Sequence, residues 1–589
     1  MQRLISFRLT LLAGLATSLP ALAQPTAQPA VPPALQQNPV ERLTPVEPPR
    51  LSPSISAPPI VPQTGPGAAA VVRLGAVTVQ GNTALPTATL RAALALREGE
   101  AVSLAQVEEA RLDMLRAYRD AGFPFAAIAA GLTPRGNGVA DLSFSITEGF
   151  VSEVRLEGDI GPAGTQVLRF LERVRDTTPV TAAAIERALL LASDIPGITV
   201  RGVLRPLPDR AGALQLVAQV ERKSYSGYFN LDNRGYKLSG AWQGLLVAGL
   251  NAFTELGERT ELALFGGEAN NQNFLQGSFE AFVGGSGLRV RLYAGAGRAR
   301  PGSTLSQLGY RGDTQVGGIA TFYPLVRSRP FNLYAVGQFD VFDSTVDQGK
   351  PDRTQQSRDA IRVLRGGLDA QFLDSVVPFL PTATTTAGFR LHQGLEIFGA
   401  TRSGRTSGAG PSSPARNGSE FDFRKISGEI QRTQPLFSPF DGGLISLQGL
   451  VQGQYSADVL PTAEKFYLGG ARLGRGFYAG QVTGDSAFGF AAELQLDVAL
   501  PTIELPYVGW TLQPTPQLYA FRDVGRSFES TRNDFNRKLS SWGGGLRLPL
   551  NESLQFDVEG VKRISRQPTG AAADPLNETA VFFRTLVRF

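Results

Sequence analysis

Side chains that do chemistry are scarce in this chain. Its 589 residues hold no Cys and a single His, His392. Without Cys there is no thiolate nucleophile, no thiolate metal ligand and no disulfide. One His excludes a multi-His zinc site, and a Ser-His-Asp triad would have to use His392 itself. Gly284-Gly285-Ser286-Gly287 does not have the spacing of a nucleophile elbow, and Gly484-Asp485-Ser486 lacks the closing Gly. Gly295-Ala296-Gly297 lies in an alternating segment, not between a strand and a helix, so it does not read as a dinucleotide loop. The chain is expected to be no enzyme, with no catalytic residue, metal or cofactor, and His392 reads as a wall residue. Lys and Arg total 57 against 52 Asp and Glu, interspersed along the chain. No basic stripe exists, so no nucleic-acid partner is expected.

The elements around these residues explain the composition. Hydrophobic content is 42%, too low for a helical membrane protein. Residues 1–23 carry Arg3 and Arg8, then a mostly apolar Leu9–Leu22, then Ala21-Leu22-Ala23. This is the pattern of a secretory signal peptide, and the apolar stretch is shorter than the ~18 residues that a membrane anchor needs. Residues 24–71 form a Pro-rich linker, with 13 Pro between positions 24 and 70. Pro removes backbone donors, so this stretch is expected to be disordered or semi-rigid. Only Ala34 to Asn38 could start a helical turn.

Two small mixed units follow, residues 72–149 and 150–222. In the first, Val71–Gln80 alternates and ends at Gly81-Asn82, as a strand does. Pro86–Leu94 suits a short helix. Ser103 and Gln106 form a capping box, with Leu104, Val107, Arg111, Met114 and Tyr118 at helical spacing behind it. Phe123–Ala130 and Val139–Glu148 read as strands. The order β-α-α-β-β then repeats: strand Val151–Leu156, helix Thr165–Arg175, a helix capped by Thr181, and strands Ile198–Leu204 and Ala213–Val220. Two copies of one unit suggest an array whose open sheet edges could receive an extended peptide. Rigid spacers are the plainer reading.

Residues 223–589 hold 49 of the 66 Gly and 29 of the 35 Phe. Segments of about ten residues alternate apolar with polar, as in a transmembrane barrel. Examples are Leu288, Val290 and Leu292 against Arg289 and Arg291, and Leu494, Leu496 and Val498 against Glu493, Gln495 and Asp497. Closure satisfies the backbone where lipid offers no partner. In the last segment, Val581, Phe583, Thr585, Val587 and Phe589 share one face, with Arg584 and Arg588 opposite. A soluble sandwich or propeller is the alternative, but no blade period appears. At about 23 residues per strand plus loop, the region predicts a mainly β fold: a transmembrane antiparallel β-barrel of about 16 strands, preceded by two α/β units. Ala400–Asn417 and Ser344–Asp359 are expected to be long extracellular loops.

This plan resembles a two-partner secretion transporter of the hemolysin secretion/activation family, over the chain from about residue 72 to the end. The α/β units would be its polypeptide-transport-associated (POTRA) domains. Leu231-Asp232-Asn233-Arg234-Gly235 resembles the family's barrel-opening Asp-Asn-x-Gly motif, placing Asp232, Asn233 and Gly235 in it. Glu464–Gly470 followed by Arg475-Gly476-Phe477 resembles the loop that folds back into the pore. Phe521-Arg522-Asp523-Val524-Gly525 matches the Phe-x-Asp-x-Gly strand. Phe583, Val587 and Phe589 resemble the C-terminal signal of outer-membrane barrels. Gly474 departs from the family, which usually has Val there. Members often carry a pore-plugging helix ahead of the first domain, for which only Ala34–Asn38 is available here.

The resemblance implies that Arg475 reaches Asp523 on the inner wall as a lock. Gly476 and Gly525 would allow close approach, with Phe477 and Phe521 beside the pair. Otherwise these are ordinary lumen charges, whose pairing in water is worth only ~0–1 kcal/mol. The resemblance implies a location in the bacterial outer membrane with POTRA domains in the periplasm. It implies capture of an unfolded secreted exoprotein of adhesin or hemolysin type and its export through the pore. Outer-membrane lipid and the barrel-assembly machinery would be the other partners. A barrel-assembly protein or a passive porin are the alternative functions.

Overall fold

The computed structural model describes residues 38–40, 44, 70–92, 94, 96–236, 240–302, 306–404, 410, 412–505, 510–531, 535–566 and 576–589. The expected signal peptide and most of the Pro-rich linker lie outside the described residues.

The first unit contains β1 (Val71–Gln80), α1 (Thr87–Ala92), β2 (Ala101–Ser103), α2 (Leu104–Asp120), β3 (Ala127–Gly136) and β4 (Val139–Thr147). Its sheet order is β2-β1-β4-β3, with β1 and β4 parallel. The capping box forms: Ser103 Oγ accepts from Gln106 N–H at 3.3 Å, and Gln106 Oε1 accepts from Ser103 N–H at 2.8 Å. Val107, Met114 and Tyr118 then face Leu74, Leu142 and Phe144 in the core. The expected strand from Phe123 begins only at Ala127. Gly122, at φ +88°, and Pro124 turn the chain before pairing can start.

The second unit repeats the plan with β5 (Phe150–Gly158), α3 (Gly164–Leu171), α4 (Ala182–Ser193), β6 (Ile198–Pro206) and β7 (Ala213–Arg222), in sheet order β5-β7-β6. The helix expected to run to Arg175 tightens into a 3-10 turn at Glu172–Asp176. Thr181 caps α4 through Ala184 N–H at 3.1 Å. Ala182 N–H donates to Gly122 O at 2.9 Å, tying the two units together.

The barrel strands are β8 (Tyr225–Asp232), β9 (Gln243–Asn251), β10 (Arg259–Gly267), β11 (Gln272–Val283), β12 (Leu288–Ala299), β13 (Arg311–Arg327), β14 (Phe331–Gln348), β15 (Thr354–Asp374), β16 (Ala383–Gly394), β17 (Arg424–Phe437) and β18 (Gly443–Tyr455). After the short β19 (Phe466–Leu468) and β20 (Val482–Gly484) comes the wall strand β21 (Ser486–Val498). A small hairpin, β22 (Ile503–Leu505) and β23 (Trp510–Leu512), precedes β24 (Gln517–Phe528), β25 (Arg537–Pro549), β26 (Leu554–Arg563) and β27 (Thr579–Arg588). Sixteen strands close into one antiparallel barrel, with β27 pairing β8. Alternate residues such as Leu246, Leu292, Leu364, Leu447 and Leu494 stand outward on the lipid face. Among the described residues, no helix is long and apolar enough to cross a membrane.

Ser344–Asp359 is not a long loop. β14 and β15 pair up to Gln348 and Thr354, so only residues 349–353 turn. Gly349, at φ +120°, opens that turn, and the strands continue because backbone groups raised above the membrane still need partners.

The second unit docks under the barrel. Phe170 of α3 meets Phe282 of β11 edge-on at 5.2 Å, and Phe282 is part of that unit's core. Arg327 grips Asp194 with two bonds of 2.8 and 2.7 Å. Gln166 Nε2 donates to Gly284 O and Arg187 Nη2 to Pro324 O. The periplasmic turns near residues 284 and 324 are thus seated on α3 and α4.

Candidate functional site: the pore loop and its lock

Residues 456–485 join β18 to β21 and turn back into the barrel. Gly469, Gly470 and Gly474 take positive φ values of 105°, 116° and 73°, a region that glycine enters without Cβ strain. Gly469 N–H donates to Leu473 O and Phe477 N–H to Gly474 O, closing a compact knot. This accounts for Gly474. A Cβ there would stand 3.0 Å from Leu539 and 3.1 Å from Gly469 N, on a left-handed backbone. Leu468, Leu473, Phe477 and Val482 press the knot onto Leu450, Ala487, Ala491 and Leu539 of the wall.

The knot presents Arg475. Its Nε donates to Asp523 Oδ2 at 3.1 Å, its Nη2 to Asp523 Oδ1 at 2.9 Å, and its backbone N–H to Asp523 Oδ2 at 2.7 Å. Nη1 is bonded to Glu493 Oε2. The guanidinium lies 3.7 Å over the Phe521 ring. Asp523 is 0% exposed and Arg475 5%, so this is a desolvated fork rather than a lumen pair in water. Gly476 and Gly525 allow the approach: a Cβ would meet Ser541 Cβ at 2.7 Å and Leu468 Cδ2 at 2.9 Å respectively. Phe477 sits in the apolar cluster of the knot, which includes Ala491, the cross-strand partner of Asp523.

The network is wider than one pair. Arg547 holds Glu493 at 2.6 and 3.0 Å and stacks on Tyr519 at 3.9 Å. Tyr519 OH donates to Glu559 at 2.8 Å. Arg234 binds Glu559 at 2.5 Å, donates to Arg475 O at 2.9 Å and covers the Phe582 ring at 4.1 Å. Glu493 was visible in the sequence only as one inward position of an alternating strand. Its partners come from strands far apart along the chain.

The opening motif serves the seam. β27 and β8 pair from Arg584↔Asp232 to Arg588↔Tyr228, the shortest pairing in the wall. Asn233 lengthens it: Phe583 N–H donates to Asn233 Oδ1 at 2.7 Å, and Asn233 Nδ2 donates to Val581 O at 3.2 Å. Asp232 accepts from Gln243 Nε2 at 2.8 Å and Arg234 N–H at 2.9 Å. Gly235 turns against Gly240 O, where a Cβ would be 2.3 Å away. Gly227 and Phe589 exchange two backbone bonds of 3.0 Å. Phe583 and Phe589 stand on the outer face, with Val587 half-buried near them.

Below the lock lies a cavity of about 1290 Å³. Arg475, Glu493, Arg547, Asp369, Arg390 and Glu429 are among its lining residues. Part of the expected linker is inside the barrel. Val40 is buried among Leu245, Val247, Phe265 and Phe274, and Asn38 Nδ2 donates to Gln276 at 2.8 Å. Inward apolar residues on β9 to β11 create that seat. Ala34 to Gln37 fall outside the described residues. Among the described residues, no group of His, Asp and Glu could hold a metal. His392 accepts from Arg365 Nε at 3.0 Å and bonds Ser427 at 2.9 Å, a wall residue as expected.

Residues 370–548 match the profile of the haemolysin secretion/activation proteins ShlB/FhaC/HecB, and residues 72–149 match the POTRA profile, the surface antigen variable number repeat. The heme/hemopexin transporter protein HuxB of Haemophilus influenzae strain KW20/Rd is 22% identical over 492 residues, 80% of each chain. For HuxB of strain 86-028NP the match is 22% over 66% of this chain and 65% of the relative. Among solved structures, CdiB from Escherichia coli superposes with a TM-score of 0.67 at 17% identity, covering 92% of this chain and 93% of that one. CdiB from Acinetobacter baumannii gives 0.59 at 16%, covering 94% and 95%. Fold and site define an outer-membrane β-barrel preceded by two α/β units, the first a POTRA domain, on its periplasmic side. Over residues 370–548 the chain is similar to the haemolysin secretion/activation proteins, and its fold is that of the two CdiB structures.

Proposed function

We propose that this protein captures a partner exoprotein in the periplasm and passes it outward through the barrel. The observation that carries the reading is the ion-locked loop standing in the lumen beside a cavity with charged residues in its lining, with the α/β units fixed at the periplasmic mouth. A folded-in loop on an ionic joint suits a pore that must be closed at rest and cleared for a chain. The chemistry is positioning; nothing is cut or modified.

The partner, an adhesin- or hemolysin-type polypeptide, enters unfolded. β3 and β6 are edge strands of their sheets, and an extended peptide can add to such an edge by backbone bonding. Folding of the partner outside then supplies the drive. Phe583, Val587 and Phe589 serve as the signal by which the assembly machinery inserts the barrel into outer-membrane lipid. The test is genetic and biochemical. The gene for a large β-helical exoprotein with an N-terminal secretion domain should lie beside this one, and its release should require this chain. General loss of other barrels on depletion would instead mark an assembly factor.

A further inference from the structure

The pore loop is held at its base as well as at its tip. In the outer loop between β16 and β17, residues 412–423 fold inward at the extracellular end. Phe421 and Phe423 are buried with Ile361, Val363 and Leu460, the last belonging to the pore loop. Glu420 N–H donates to Val459 O at 2.8 Å. Arg416 of the same outer loop grips Asp485, the last residue of the pore loop, with bonds of 2.5 and 2.9 Å. It also bonds Glu529, in the loop after β24, at 2.9 Å, and Leu460 O at 2.8 Å. Lys465, near the start of the pore loop, completes the cluster with Glu529 at 2.8 Å. Next to it, Glu464 is tied to Arg365 and Lys425 of the wall at 2.6 Å each.

Two cations and two anions therefore meet in one place, with side-chain exposures of 10% for Arg416, 0% for Asp485, 1% for Glu529 and 7% for Lys465. Such a cluster is a poor way to gain stability alone, since apolar residues of equal volume often do as well. What it has over an apolar joint is two acceptable states. Assembled, each charge is paired; separated, each is hydrated. Both ends of the pore loop converge on Arg416, which belongs to a different loop.

We propose that Arg416 is a positioning residue that latches segment 412–423 of the outer loop onto the base of the pore loop, so that the pore loop leaves the lumen only when this segment is released. This rests on the export reading. The chain has no Cys, so Glu420→Cys with Val459→Cys gives a single engineered disulfide across the two loops. In the full-length protein in cells, oxidation should stop export of the partner and a reductant should restore it. The reduced double variant is its own folding control. Separately, purified Arg416→Met in planar bilayers should show open-channel events several-fold more often than the parent chain. Normal export with the disulfide formed, or unchanged channel activity in Arg416→Met, would overturn the latch. If no partner is exported even by the parent chain, the export reading fails, and the bilayer measurement still decides the latch.

Discussion

The barrel holds the second α/β unit and its pore loop in opposite ways. Below, Phe282 inserts into the core of the second unit and meets Phe170, with the Arg327–Asp194 fork at the rim. Inside, the loop has an apolar knot of its own, but what fixes its tip and base is charge: Arg475 on Asp523 and Glu493, Arg416 on Asp485 and Glu529. Separating an apolar joint exposes surface to water at a cost that nothing offsets. Separating an ionic joint returns each charge to hydration. The lower junction is thus built to persist and the inner one to be released.

Breaking the inner joint should have the largest effect. Arg475→Ala leaves Asp523 buried without its cation, while Glu493 keeps Arg547, a local cost of about 3–5 kcal/mol. Export is expected to be lost while the barrel still assembles, read as heat-modifiable migration in electrophoresis. Normal secretion by this variant would remove the lock from the mechanism. At the lower joint, Phe282→Ala should cost about 3–5 kcal/mol by emptying a core position. The expected result is an α/β region that protease releases from an intact barrel, with export reduced rather than abolished. Equal protease resistance would mean that the polar rim holds the domain alone.

Gly474→Val tests the knot with its charge intact. A β-branched residue at φ +73° is strained by about 1–3 kcal/mol, so the variant should export less with Arg475 unchanged. Full activity would show that the knot can rearrange. The smallest effect concerns pH in the first POTRA domain. Burial works to raise the Glu148 carboxyl, but bonds from Thr83, Ala84 N–H and Tyr118 outweigh it and hold it below the usual carboxylate range. A depressed folded value stabilises the domain above the ordinary glutamate range, and the gain is lost as pH falls through the folded value. NMR titration should give a midpoint below that of a free glutamate; a higher one would refute the assignment.

The two joints also differ in how far the sequence announces them. The capping box at Ser103, the cap at Thr181 and the alternation that makes sixteen strands are local patterns, and all appear as read. Asp523 was named as the partner of Arg475 through family resemblance, and the fork forms. Glu493 and Arg234 stand in the sequence only as positions of a strand and of the opening motif, and no local pattern assigns them, Arg547 or Glu559 to this network. The linker, expected to be disordered or semi-rigid with at most a helical turn at Ala34 to Asn38, seats Val40 inside the barrel.

Period-two alternation, turn glycines and caps depend on neighbours a few residues apart, so the barrel, the α/β repeat and the lipid face were determined by sequence alone. Which inward charge meets which was decided by closure. Arg475 meets Glu493 and Asp523, Arg416 meets Asp485 and Glu529, and Asn233 meets Phe583 only after β27 pairs β8 and the loops fold back. Strand register and barrel geometry bring such residues together, and no short-range pattern records either.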